Sequence, residues 1–434
     1  MKDIASSVHP VLSAIFLMTL PLLAATQDVP MDGTILGARP YEFPAYVDAY
    51  GYTRFDGTQD AIEKYWTRDE YEHALTDERF EFQKILYASD GLSVVAYVLR
   101  PVEATTPLPT IVFNRGSGIH KDIAPVLMPY MHRLAQEGYL VIAPMYRQTD
   151  GGEGIDANGG DDLNDLLNIL PVIRALPYAD ENNIFMSGES RGATMVYQAI
   201  RENFPMRAAA VCGGYTDMQP LLEQQPMMVE YARQNWPGFG DDLQASVERR
   251  SAIYWPESFG VPVLLMHGES DGSIPVSQTL ELAGKLQQAG KLYGLIVFAE
   301  DNHILHRSQL ERDRASLNWF RRFDAQAEAE QQHFLRTTAT ERDINDRGYS
   351  LLRRDRNEEA IEAFHIGVQR FPESTNAHDS LGETLAQSGD LTGAIRSYGK
   401  ALELVDSDSE KTRIQDILAE LKLLSLRRPP GDPR

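Results

Sequence analysis

From residue 80 onward the chain alternates short apolar runs with longer amphipathic stretches. Residues 80–88 and 92–100 alternate apolar and polar positions on either side of Ser89, Asp90 and Gly91, a pattern that predicts a β-hairpin. Continuous runs follow at 110–113, 139–143, 184–187, 208–212, 261–266 and 295–298. They are short and rich in β-branched or aromatic residues, as strands buried on both faces should be. Between them, residues 125–136, 161–176, 193–203 and 276–289 have helical periodicity. This rhythm predicts an α/β domain, a mostly parallel sheet flanked by helices. The connection 213–260 is 48 residues long, which predicts helices of its own and a role as a lid or pocket wall.

The two ends read differently. Residues 11–25 form an apolar run of 15, shorter than the ~20 a membrane span requires and suited to a signal peptide over 1–25 that ends at Ala25. Export to the periplasm or beyond, with no stable membrane span, is the expectation. Residues 26–78 are rich in Tyr and acidic side chains without a period, and read as an N-terminal extension to a catalytic domain over 79–325. Residues 326–341 read as a helical connector. Within 342–426, Gly348, Ala360, Phe364 and Pro372 set a spacing that Gly382, Ala394 and Tyr398 repeat 34 residues later, without the final proline. That period predicts stacked helical hairpins closed by a capping helix over 414–426, with 427–434 as a disordered tail.

Composition narrows the partners. The 434 residues hold 41 Lys and Arg against 63 Asp and Glu, a formal net charge of −22. Nucleic acid is therefore not an expected partner, because its binding needs clustered cations to replace phosphate counterions. The single cysteine, Cys212, lies in the run 208–212 and reads as a small buried residue, not a catalytic thiol. There is no HExxH and no paired CxxC, so neither a cofactor nor a zinc site is expected. The Gly/Asp-rich stretch 151–162 lacks the GK[ST] of a phosphate loop and reads as an ordered surface loop, where an isolated Ca²⁺ is the one metal kept in view.

Candidate chemistry centres on Gly188, Glu189, Ser190, Arg191 and Gly192, between the run 184–187 and the helix 193–203. So sharp a turn from strand to helix needs small residues two before and two after the serine, and it pushes the Ser190 hydroxyl out at the helix N-terminus. The hydroxyl needs a base, and the base needs an acid to fix its tautomer. Behind such an elbow both follow later strands, the acid first. Asp271, five residues past the run 261–266, is the expected acid ahead of Glu269. His303, the first histidine after the run 295–298, is the expected base ahead of His306, which is expected to open the next helix. His267 and His120 read as local hydrogen-bonding residues. The oxyanion is expected to lie against the Arg191 N–H and a backbone N–H of Arg115 or Gly116. For the Arg115 guanidinium two readings stay open, a substrate carboxylate or a structural salt bridge.

At this point the residues match a family. The segments YASDGLSVVAYVLRP, GGDDLNDLLNILPVIRALPYAD, NNIFMSGESRGATMVYQAI, RRSAIYWPESFGVPVLLMHGESDGSIPVSQ and DNHIL together resemble the catalytic domain of the prolyl oligopeptidase (S9) family, in the α/β-hydrolase superfamily. The resemblance covers residues 87–323, about half the chain. It implies the α/β-hydrolase fold, a triad of Ser190, Asp271 and His303, and serine-peptidase chemistry. Two departures bear on specificity. Oligopeptidases of this family carry a β-propeller ahead of the hydrolase domain, and fewer than 60 residues separate residue 25 from the first hairpin here. Asn114, Arg115 and Gly116 also stand where several relatives place a tyrosine or an HGG segment. Both count against proline-specific activity. The C-terminal repeats resemble tetratricopeptide repeats, which implies a protein segment as a possible partner. The expectation is an exported serine hydrolase acting on a small peptide or ester through an acyl-enzyme on Ser190. A carboxylesterase or dienelactone-hydrolase-like enzyme is the alternative, and a repeat-based binding protein with an inactive hydrolase domain is the alternative of another class.

Overall fold

Aromatic packing, not periodicity, organises the start of the ordered chain. Strand β1 (Asp32–Pro40) leads through a short hairpin of β2 (Tyr50–Thr53) and β3 (Gln59–Ala61) to helix α1 (Arg68–Thr76). Thr67 and Glu70 close a capping box at the N-terminus of α1. Tyr46, Ile62, Trp66 and Tyr71 are buried, and their polar atoms find backbone partners: Tyr46 Oη donates to Trp66 O, Tyr71 Oη to Pro44 O, and Trp66 Nε1 to Val126 O. Burial with satisfied tips lets tyrosine and tryptophan stand in for a periodic core. The structure, a computed structural model, describes residues 32–53, 59–116, 123–224, 226–236, 238–303, 305–353 and 356–427. The run 11–25, His120 and residues 428–434 lie outside the described residues. Two units divide the chain between Asp324 and Ala325.

In the first unit, β4 (Phe80–Ser89) and β5 (Leu92–Pro101) pair antiparallel with Ser89 opposite Leu92. Asp90 and Gly91 between them both take positive φ, 52° and 76°, the two-residue turn that follows the strand twist. Then come β6 (Leu108–Asn114), β7 (Leu140–Pro144), β8 (Ala179–Glu189), β9 (Ala208–Cys212), β10 (Val263–Gly268) and β11 (Tyr293–Phe298). The sheet has nine strands in the order β1-β4-β5-β7-β6-β8-β9-β10-β11. From β7 to β11 neighbours run parallel, and β1, β4 and β5 are joined antiparallel. The chain leaves β6 for β7 on one side and crosses to β8 on the other, so the strand order reverses at β6. Sheets of this kind usually bind their ligands at the C-terminal ends of the strands beside such a reversal.

Helices α2 (Ala124–Ala135), α3 (Leu163–Leu167), α4 (Ile169–Ala175) and α5 (Arg191–Arg201) cover the sheet, followed by α6 (Gln219–Gln224), α7 (Pro226–Asn235), α8 (Leu243–Arg249), α9 (Val276–Gln288) and α10 (Gln309–Arg321). One core holds Phe113, Phe185, Leu264 and Phe320, and the other holds Val112, Met186, Val196 and Leu265. Strands β7, β9 and β10 are buried throughout, but β11 departs from the expectation. As the sheet edge it turns Ile296 and Phe298 inward while Leu295 and Val297 are exposed. The helix expected over 161–176 is two, α3 and α4, joined at Asn168. Pro171 has no N–H and would collide with the Leu167 carbonyl in a continuous helix, so a new helix starts and receives it in its first turn. The long connection 213–260 does carry its own helices, α6 to α8, around Leu222, Trp236, Phe239 and Val247.

The second unit is all helical: α11 (Ala325–Thr337), α12 (Glu341–Leu352), α13 (Asn357–Arg370), α14 (Thr375–Ser388), α15 (Leu391–Leu404) and α16 (Asp408–Arg427). Most of the expected connector is α11, whose Leu335 packs with Ile344 and Ile366. The 34-residue recurrence is a physical contact. A Cβ on Gly348 would come within 2.3 Å of Phe364 Cζ, and one on Gly382 within 2.8 Å of Tyr398 Cδ2. Glycine lets each helix lie directly on the aromatic ring of the next, while Ala360 and Ala394 are fully buried beside it. All four tryptophans, Trp66, Trp236, Trp255 and Trp319, precede Ala325. Gly348→Ala should therefore lower the stability of the helical unit by about 1–3 kcal/mol through overpacking. Urea unfolding of the helical unit, followed by far-UV circular dichroism, should shift to lower denaturant, while tryptophan fluorescence follows the first unit alone.

Candidate active site

The elbow follows from how closely α5 crosses the strand ends. A Cβ on Gly192 would lie 2.0 Å from Asn114 O and 2.6 Å from Arg115 O, and one on Gly188 would lie 2.5 Å from Gly192 O. Only glycine fits at either place. Ser190 between them takes φ 54° and ψ −121°, a conformation costing a non-glycine residue on the order of 1–3 kcal/mol, and its N–H donates to Cys212 O at 2.8 Å. The hydroxyl is thereby held out at the first turn of α5.

Asp271 sits in the loop after β10 with its side chain fully buried. Its Oδ1 accepts from the N–H groups of Ser273 (2.8 Å) and Ile274 (2.9 Å), and its Oδ2 accepts from His303 Nδ1 at 2.7 Å. Burial pushes the carboxyl up. Hydrogen bonds from His267 and His303, the His303 charge and the Ile274 N–H outweigh it and hold Asp271 well below the usual carboxylate range. On the other side of the ring, His303 Nε2 lies 2.9 Å from Ser190 Oγ. An ionised carboxylate only accepts, so Nδ1 carries the proton and Nε2 is left to accept from the serine. The two loops are stitched together by Ser270 N–H to Asp301 O (2.9 Å) and Glu269 N–H to Phe298 O (2.8 Å). Gly213, at φ 56°, leaves room for the imidazole, since a Cβ there would lie 3.3 Å from His303 Nδ1.

The competing candidates lie apart from this set. Glu269 is exposed and accepts from its neighbour Ser270. His306 is exposed in the loop, and α10 begins only at Gln309, so His306 does not open a helix as expected. Of the expected oxyanion donors, Arg191 is the first residue of α5, where a helix N–H has no partner one turn earlier. Gly116 lies beside the nucleophile, its Cβ position 3.7 Å from Ser190 Cβ. The Arg115 guanidinium is fully buried and structural: it donates to Met145 O, to Thr149 Oγ1 and, at 2.9 Å, to Gly116 O, which fixes the loop. That removes the substrate-carboxylate reading of its side chain.

One network was missed. The stretch 151–162 is a surface loop only in part: Gly151, Glu153, Gly154 and Ile155 are exposed, whereas Asp156, Asn158 and Asp162 are buried. Asp156 and Asp162 bind Arg191 through Nη1 (2.8 Å) and Nη2 (2.5 Å), and Arg191 lies 4.4 Å over the Tyr146 ring. Tyr146 Oη donates to Asn114 Oδ1 at the end of β6. The loop also wraps its own N–H groups at Ala157, Gly159 and Gly160 around Asp162, so the cation held by these acids is the guanidinium. An arginine directly after the serine and an Asp-rich loop were both visible in the sequence; their pairing, across 29 residues or more, was not. Another group of possible metal ligands, His73, Asp77 and His132, lies within 4.8 Å. Arg79 already forks onto both Asp77 oxygens at 2.7 and 2.6 Å, and His132 Nε2 lies 2.9 Å from Oδ2, which leaves a metal cation opposed by a guanidinium. Beside the elbow, Tyr65, Trp66, Phe113 and Tyr130 line a pocket that also includes the Glu189–Arg312 ion pair.

A serine held at a strand-to-helix elbow, with a histidine and a buried aspartate on successive loops of a mostly parallel sheet, defines a serine hydrolase of the α/β-hydrolase fold. Residues 127–326 match the prolyl oligopeptidase family. It is 27% identical over 208 residues to the uncharacterized peptidase YtmA of Bacillus subtilis, covering 48% of this chain and 80% of that protein. It is 26% identical over 282 residues to acylamino-acid-releasing enzyme 1 of Oryza sativa, covering 58% of this chain and 36% of that one. Among solved structures, the acylaminoacyl peptidase of Pyrococcus horikoshii aligns at 20% identity with a TM-score of 0.49, covering 57% of this chain and 42% of that one. The chain thus spans well under half the length of the latter two.

Burial pushes Asp162 up, but the Arg191 charge and the Gly159 and Gly160 N–H groups hold it below the usual range. A carboxyl depressed in the folded state adds stability above its unfolded value of about 3.9 and loses it as pH falls towards the folded value. Asp162→Asn should cost about 3–5 kcal/mol at neutral pH by leaving a buried guanidinium half compensated. It should also flatten the acid side of the stability–pH curve, as measured by urea unfolding between pH 3 and 8.

Proposed function

We propose that the chain is an exported serine hydrolase that cleaves peptide or ester bonds through an acyl-enzyme on Ser190. The observation that carries this reading is the His303 imidazole held between Asp271 and Ser190. Ser190 Oγ attacks the acyl carbon as its proton passes to His303 Nε2. The carbonyl oxygen becomes an oxyanion, met by the N–H of Arg191 and an N–H of Arg115 or Gly116. The C–N or C–O bond then breaks, and the leaving amine or alcohol takes the proton from His303. A water gives a proton to His303, attacks the acyl carbon and releases the acid, and the proton returns to Ser190. Asp271 stays ionised and steadies the imidazolium throughout.

Other features support the finer parts of the proposal. The apolar run 11–25 supports export, and among the described residues no helix is long and apolar enough to cross a membrane. The Gly348–Phe364 and Gly382–Tyr398 contacts support tetratricopeptide-like hairpins, for which a protein segment is the proposed partner. The name of the rice relative makes short N-acylated peptides the first amides to try.

A fluorophosphonate probe should label the wild type and leave Ser190→Ala unlabelled. Hydrolysis should fall on the order of 10⁴–10⁶-fold in that variant. Parallel rates on p-nitrophenyl esters and acyl-aminoacyl p-nitroanilides separate the two substrate classes, since a peptidase must turn over the amide too. An unlabelled wild type, or equal labelling of the variant, sinks the assignment of Ser190.

A further inference from the structure

We infer that His267 is a positioning residue for catalysis, one that aims the Asp271 carboxylate at His303; the inference rests on the triad reading above. His267 is the next-to-last residue of β10 and is fully buried. Its Nε2 lies 2.9 Å from Ile274 O and 3.1 Å from Asp271 Oδ2. Both are acceptors, so Nε2 bears the proton. Nδ1 then accepts from the Thr279 hydroxyl at 2.7 Å, on the first turn of α9. Ile274 donates its own N–H to Asp271 Oδ1, so backbone, carboxylate and imidazole close a ring. The loop 271–274 is wrapped around the His267 side chain.

The consequence falls on one oxygen. Oδ2 of Asp271 receives both His267 Nε2–H and His303 Nδ1–H, while Oδ1 is held by two backbone N–H groups. With all these donors the carboxylate cannot rotate about its last bond. The second donor on Oδ2 also draws charge from that oxygen, which weakens its pull on the His303 proton and keeps the imidazole a usable base. Removing it should leave Asp271 more basic and hold the proton on His303 more tightly. Two other ionisable groups, Cys212 and Tyr215, sense the Asp271 charge. Burial pushes Cys212 up and Tyr215 up to about 12, so both stay neutral. Asp301, in the histidine loop, is pushed up by burial but held below the usual range by its hydrogen bonds, and remains a fixed charge.

Asparagine at 267 places a polar atom near the position of Nδ1 but none near Nε2, whereas glutamine can reach the Nε2 position. His267→Asn should lower kcat on the order of 10²-fold, the cost of a misplaced catalytic group, with KM little changed. The acid limb of its kcat/KM profile should move to higher pH, and the downfield proton resonance of His303 Nδ1–H should shift. His267→Gln should recover most of the rate. Should His267→Asn fail to fold, Thr279→Val keeps the imidazole and removes its hydroxyl partner; the acid limb should move in the same direction. An unchanged profile in a folded variant, or loss in His267→Gln equal to that in His267→Asn, overturns the inference while wild-type fluorophosphonate labelling stands. An unlabelled wild type overturns the triad reading and this inference together.

Discussion

The closeness of α5 to the end of β6 is the constraint on which the site depends. Gly192 sits where any side chain would strike the Asn114 and Arg115 carbonyls, and that approach forces the chain at Ser190 into a strained turn. Strain of this kind persists only when its surroundings over-determine it. Here the surroundings are electrostatic as well as steric. Arg191 is drawn into a buried pair of aspartates, and Tyr146 ties the same cluster to Asn114. The helix start, the nucleophile and the oxyanion loop are therefore one packed object.

The acid and the base are arranged differently. They hang on loops beyond β10 and β11, and backbone hydrogen bonds between those loops set their separation. Gly268 allows the close approach, since a Cβ there would meet the Asn302 carbonyl at 2.4 Å. The elbow is built by packing against β6, and the relay is built by loop-to-loop hydrogen bonding. The Ser190–His303 contact is the point where the two constructions meet.

Much of this was legible in the sequence because it rests on local rules. The hairpin declared itself through Asp90 and Gly91, the buried strands through unbroken apolar runs, and the elbow through two glycines flanking a serine. Chain order then singled out Asp271 and His303. What stayed hidden depends on distant pairing or on neighbours. The segment from Asp32 to Thr76 is held by aromatic rings with satisfied tips, which leave no period. The 151–162 stretch looks polar and exposed until Arg191 is placed beside it. The exposed face of β11 follows from its place at the edge, which apolar composition does not reveal. The break at Asn168 was readable, since Pro171 forbids a continuous helix; it was missed because the apolar spacing runs on across it.

The edge position of β11 has a further consequence for how the enzyme would fail. A strand paired on one side, with alternate residues in water, opens at lower free-energy cost than the strands inside the sheet. His303 hangs from that strand, whereas Ser190 hangs from one locked between two neighbours. On heating, the base is expected to lose its partners before the nucleophile does. Loss of activity on heating is then expected to begin at the rim of the sheet, ahead of unfolding at its centre.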